Sequence, residues 1–168
     1  DIELMHSQAS MCFVAKAEIE RWPLIGWLAA RAGTIYHRRG STHSLGAVME
    51  RVVERLQQGL PVGVFPEGGT GDGSSVRTFH ARIFQVATDA GVPVQPVALR
   101  YGRNGRQHPA VAFAPGESFF ANFLRLLGEP SMHAEVHFCP VLQPSDEGRR
   151  RTAEAARAAI VDALGLGE

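Results

Sequence analysis

The run Val62-Gly63-Val64-Phe65 ends at Pro66, and that ending constrains everything built around it. β-Branched and aromatic residues favour an extended strand, whereas proline fixes its own φ and offers no N–H to a ladder. Glu67 follows at once, inside a cluster made by Gly68, Gly69, Gly71 and Gly73. The stretch therefore reads as a strand end opening into a loop. Glycines take positive φ readily and leave their N–H groups exposed, so the loop can form a concave nest for an anion or a polar head group. Glu67 is then the fixed charge at its edge. The same composition fits a glycine-rich surface turn with a solvated acid. It does not fit a Walker loop, because no Gly-Lys-Ser/Thr closes it.

At 168 residues the chain suits one domain and can bury a core without staples. Its 45% hydrophobic and 20% charged residues are those of a globular protein. With 17 basic and 17 acidic residues the formal net charge is zero, which gives no global electrostatic case for nucleic acid. Cys12 and Cys139 lie far apart in apolar runs and imply buried thiols rather than a disulfide framework. The longest apolar window, Trp22 to Ala30, is far short of the roughly 20 residues that span a bilayer, and no signal peptide is visible. The chain begins at Asp1-Ile2 without a methionine, so it is expected to be part of a longer protein.

Along the chain, residues 11–16 read as a buried strand and 18–32 as a helix with Pro23 near its first turn and Gly33 as its stop. Core packing is the favoured use of Trp22, Leu24, Ile25, Trp27 and Leu28, with a membrane-interface role as the other use, since Arg21 and Arg31 flank them. A short strand follows Gly33. From Thr42 to Gln58, Leu45, Val48, Met49, Val52, Val53 and Leu56 recur at helical spacing up to Gly59, a core helix crossing between two strands. Helices are expected at Phe79–Ala90, Phe119–Leu127 and Arg149–Leu164, and strands at Val111–Phe113 and Ala134–Val141. Phe119, Phe120, Phe123, Leu124 and Leu127 make the apolar side of the second of these helices. His133, His137 and Cys139 would share one strand face, but nothing else supports a metal site there, and none is expected. Strands alternating with helices indicate one α/β domain over residues 1–168, with a mixed, mostly parallel sheet flanked by helices.

Four stretches together resemble the glycerolphosphate and lysophosphatidic acid acyltransferase family. Phe65-Pro66-Glu67-Gly68-Gly69-Thr70 is similar to its Phe-Pro-Glu-Gly-Thr motif, and Val92-Pro93-Val94-Gln95-Pro96-Val97 to its Val-Pro-Ile-x-Pro-Val motif. Gly33-Thr34-Ile35-Tyr36-His37-Arg38-Arg39 resembles the motif of a glycine, a short strand and an arginine, which places Arg39 on the family's arginine, with Arg38 next in register. Asp1-Ile2 stands where the aspartate of the family's His-Asp motif falls, so the histidine is expected five positions ahead of Asp1. His37 departs from the pattern and reads as structural. A second departure is at Gly71, where the family often carries an arginine. Arg77 or Arg82 is then the candidate for the missing cation, and Thr70-Gly71-Asp72-Gly73 is closer to relatives suggested to acylate lyso-ornithine lipids.

The resemblance implies an O-acyltransferase moving a fatty acyl group from acyl carrier protein or coenzyme A to a lysolipid hydroxyl, such as that of 1-acylglycerol-3-phosphate, in membrane lipid biosynthesis. The motif histidine would take the hydroxyl proton and Asp1 would orient it, so residues 1–168 alone are expected to be inactive. Arg39, Glu67, Gly68, Gly69 and Thr70 would hold the acceptor, a guanidinium fork being suited to phosphate or carboxylate. The Val92–Val97 segment would help to place the acyl donor. No cofactor is expected beyond the acyl thioester as co-substrate. The expected setting is the cytoplasmic face of the inner membrane, reached peripherally or through segments outside this chain. The other readings are a thioesterase, for which no Gly-x-Ser-x-Gly elbow is present, and a non-catalytic module binding acyl chains or anionic lipid.

Overall fold

The computed structural model describes all residues except 23–24, 38–41, 70, 72, 104–105, 109–110, 115, 130, 145–147 and 167–168. A short helix α1 (Ile2–His6) leads into β1 (Cys12–Lys16), followed by a 3₁₀ turn (Ala17–Arg21), α2 (Ile25–Arg31), β2 (Ile35–His37), α3 (Thr42–Gln57) and β3 (Val62–Gly63). β1 lies between β2 and β3 and runs parallel to both, with Val14 opposite Ile35 and Cys12 opposite Val62. Parallel neighbours require crossovers, and α3 supplies the one between β2 and β3. Its Val48 and Val52 are buried with Ile35 and Val86, and Met49, Val53 and Leu56 pack around them, which is the face read from the sequence.

The second half begins with a 3₁₀ turn (Ala81–Phe84) and α4 (Gln85–Ala90), which ends at Gly91 with φ 65°. It continues through β4 (Val97–Arg103), β5 (Arg106–Gln107), α5 (Phe119–Leu127), β6 (Ala134–Phe138) and α6 (Gly148–Ala163). Here β4 is central and antiparallel to β5 and β6, with Leu99 opposite Val136. The mixed α/β architecture thus holds, with the parallel and antiparallel strands, among the described residues, in two separate three-stranded ladders. Pro93 and Pro96 stand before β4, where their missing N–H groups cost the ladder nothing, and Val94 makes a bridge to Leu142. Buried Ala153 and Ala156 of α6 lie against Val76, Phe79 and Phe84, forming a second core cluster.

Several expectations are corrected. The helix expected over 18–32 is two pieces, a 3₁₀ turn and α2, and the one expected over 79–90 likewise starts as a 3₁₀ turn. Trp27 and Leu28 are not core residues but are 55% and 52% exposed, and the Arg31 guanidinium lies 4.4 Å over the Trp27 ring. Residues 111–113 form no strand. On α5, Phe120 and Leu127 are 63% and 67% exposed while Asn122 is buried, so the polar residue, not the expected apolar side, faces inward. Asn122 can be buried because its amide donates to Glu117 Oε2 at 3.1 Å. His137 pairs with Glu135, its Nε2 lying 3.0 Å from Oε2. Among the described residues no helix is long and apolar enough to cross a membrane.

Candidate active site

The turn after β3 is built by sequence and closed by backbone. Gly68 N–H donates to the Phe65 carbonyl at 3.2 Å, which leaves Pro66 and Glu67 at the centre of a tight turn. Proline presets the φ such a turn needs, and Gly68 follows in the left-handed region at φ 66°. The loop that leaves this turn comes back to it. His80 N–H donates to the Pro66 carbonyl at 2.9 Å, and Arg77 N–H donates to Glu67 Oε2 at 2.9 Å. Glu67 is therefore a carboxylate in a fixed orientation, not a freely solvated acid.

Two glycines of the motif lie directly under side chains from the returning limb of the loop. A Cβ at Gly68 would stand 2.8 Å from the His80 ring, and one at Gly69 would stand 2.7 Å from Arg77 Nη1. A side chain at Gly68 would press on the His80 ring, whereas one at Gly69 would meet the movable end of Arg77, so the close approach puts the Arg77 guanidinium beside Gly69. Arg77 was one of two candidates for that cation. His80 carried no sequence signal, since nothing in Thr78-Phe79-His80 marks it as facing Gly68.

Behind the turn, Phe65 stacks on Phe13 of β1 with centroids 5.8 Å apart and planes 12° apart. Phe13 in turn meets His6 of α1 edge-on at 5.1 Å, and His6 Nε2 lies 3.0 Å from the Met11 carbonyl. Gly63 has no Cβ because the Phe13 ring occupies the space it would need. At the other end of α1, the Asp1 carboxylate accepts the Tyr101 hydroxyl of β4 at 2.5 Å. Burial pushes the Tyr101 phenol up to about 12, so it stays protonated and donating. α1 therefore starts against the antiparallel ladder and ends over the parallel one, with the row His6, Phe13, Phe65 leading from it to the Pro66 turn.

Of the residues named from sequence, the structure brings Glu67, Gly68 and Gly69 together with Arg77, and it gives Asp1 a donor in Tyr101 that sequence reasoning missed. Arg38, Arg39 and Thr70 lie outside the described residues. Chemically the arrangement offers an oriented carboxylate at the end of a parallel strand, with a guanidinium beside Gly69.

A family model described as Acyltransferase matches residues 2–100, which include the Pro66 turn and the strands on either side of it. The chain is 41% identical over 160 residues to a lyso-ornithine lipid O-acyltransferase of Pseudomonas aeruginosa, covering 95% of this chain and 60% of that protein. It is 41% identical over 101 residues to a 1-acyl-sn-glycerol-3-phosphate acyltransferase of Neisseria gonorrhoeae, covering 60% of this chain and 40% of that one. The crystal structure of the 1-acyl-sn-glycerophosphate acyltransferase PlsC from Thermotoga maritima has the same fold, with a TM-score of 0.59 at 19% identity over 95% of this chain and 59% of that chain. The chain thus spans about three fifths or less of the length of these relatives. With the family model covering more than half of its length, the Pro66 turn included, this chain belongs to the acyltransferase family.

Proposed function

We propose that the protein transfers a fatty acyl group from a thioester, on coenzyme A or acyl carrier protein, to the hydroxyl of a lysolipid. The observation that carries this reading is the clamped turn, where Glu67 is oriented by Arg77 N–H and the Arg77 guanidinium lies beside Gly69. A thioester is already activated. The protein then needs a base for the hydroxyl, an anchor for the head group and donors for the developing oxyanion. Arg77, with Arg39 and Thr70, serves as the anchor, and the Gly69 N–H, next in the chain after the Gly68 N–H that closes the turn on Phe65, is the backbone donor for the oxyanion. Asp1, held by Tyr101, orients the motif histidine that takes the proton. The acyl product leaves as an ester, and the thiol carries away the proton.

Two head groups fit this reading, phosphate and an ornithine-derived one. The second is favoured by Gly71, which stands where the family often carries an arginine, and by the extent of the Pseudomonas match. Full-length protein incubated with labelled acyl thioester, with and without 1-acylglycerol-3-phosphate or lyso-ornithine lipid, tests both. Label in a diacylated lipid only when an acceptor is present supports transfer, and the faster acceptor identifies the head group. Free fatty acid at equal rates in every tube would make the protein a thioesterase, and no turnover at all would leave the binding-module reading.

A further inference from the structure

We propose that Arg157 on α6, outside the stretch matched by the family model, is a positioning residue for Glu67 and Arg77. The proposal rests on the acyltransferase reading for its kinetic consequences but not for its geometry. Arg157 Nη2 donates to the Val76 carbonyl at 2.7 Å, and Nε donates to the carbonyls of Val76 and Arg77 at 3.1 Å each. The Val76 carbonyl and the Arg77 N–H belong to one peptide unit, and that same N–H donates to Glu67 Oε2. A single rigid plane therefore has a guanidinium at its oxygen end and a carboxylate at its hydrogen end.

Both charges reinforce the dipole of the peptide between them, so each hydrogen bond strengthens the other. The cation is itself well seated. Its neighbour Ala156 and the residue one turn earlier, Ala153, are buried against Val76, Phe79 and Phe84, which fixes the distance from the helix to the peptide. Arg157 touches neither head group nor acyl chain in this scheme. It sets the plane that aims the Glu67 carboxylate and the backbone from which the Arg77 side chain reaches Gly69.

Hydrogen–deuterium exchange and acyl-transfer kinetics on the full-length protein test this. In Arg157→Ala, exchange at the Arg77 amide is expected to rise about tenfold or more, because a charge-assisted bond is lost, while amides in the middle of α6 keep their protection. Arg157→Lys, with one ammonium in place of the fork, should fall between Ala and wild type. In kinetics, Arg157→Ala should raise KM for the lysolipid about tenfold and leave KM for the thioester unchanged. Combined with Glu67→Gln, it should cost no more than the worse single change, because both act through one peptide. Unchanged exchange at Arg77 with α6 intact, or fully additive losses, would overturn the proposal. If Arg157→Ala does not fold, exchange in Arg157→Lys decides alone, with wild-type protection at Arg77 counting against it. A wild-type protein inactive on every lysolipid defeats the acyltransferase reading and leaves the exchange result to stand or fall by itself.

Discussion

Gly68 meets two demands that no other residue meets together. Its φ of 66° lies in the left-handed region, and the His80 ring stands 2.8 Å from where a Cβ would be. Alanine there costs about 1–2 kcal/mol in backbone strain and requires the imidazole to move. In a protein of this size about 1 kcal/mol corresponds to a fall in melting temperature of roughly 2–4 °C. Gly68→Ala is therefore expected to melt only a few degrees lower by calorimetry while losing roughly tenfold or more in acyl transfer, since a small misplacement of a catalytic loop is felt strongly. A large stability loss with full residual activity per folded molecule would show that the turn serves the fold and not the reaction. The motif itself was legible from Pro66 and the glycines. The clamp was not, because Arg77 N–H and the Val76 carbonyl are backbone groups without a residue signature, and Arg157 lies some eighty positions away from them.

Helix α5 shows what periodicity conveys and what it omits. Its limits, Phe119–Leu127, follow from its apolar spacing and from Ser118, whose hydroxyl accepts the Ala121 N–H at 3.2 Å as an N-cap. Its orientation was not legible, because it is set by one acid outside the helix. Glu117 receives a two-pronged bond from Arg125, with Nε and Nη2 both at 2.9 Å, as well as the Asn122 amide and the Ala114 N–H. These bonds turn the polar residues inward and leave Phe120, Leu124 and Leu127 exposed. The Arg125 guanidinium, chiefly, holds the Glu117 carboxyl down to about 2, against an ordinary 4.5. A depressed carboxyl stabilises the folded state above its unfolded value, and that contribution fades as pH falls from about 4.5 towards 2. Protection of the α5 amides, taken relative to the intrinsic exchange rate at each pH, is accordingly expected to fall across that window. Glu117→Gln should show the lowered protection already at neutral pH and no further step on acidification, a comparison that mass spectrometry of the 112–128 segment reads once intrinsic rates are divided out. The exposed Trp27 and Leu28 of α2 make the same point, since a run of apolar residues specifies a need for cover but not which neighbour provides it.

At the scale of the molecule, the core clusters under α6 and α3 meet on a few adjacent residues. Phe84 belongs to the cluster under α6, with Val76, Phe79, Ala153 and Ala156, whereas Val86 belongs to the cluster under α3, with Ile35, Val48 and Val52. The 3₁₀ turn ending at Phe84 and the start of α4 thus link the parallel half of the molecule to the helix that carries Arg157. The same α6 cluster contains Val76 and Phe79, so the loop that returns to Glu67 is hung on this core. Phe84→Ala removes a buried ring that stacks on Phe79 with centroids 6.2 Å apart, and large-to-small changes of this kind cost about 3–5 kcal/mol. Because Phe84 and Val86 are two residues apart on continuous structure, the loss is expected to lower one shared transition. Near-ultraviolet and far-ultraviolet circular dichroism should therefore coincide at one urea midpoint in the variant, as in the wild type, with the variant's midpoint at lower urea. Below that midpoint the loop is expected to loosen first, so acyl transfer should fall at urea concentrations where α3 is still fully helical. Two separate transitions in the variant, with activity following the one that reports α3, would place the clamp on the parallel half and not on α6.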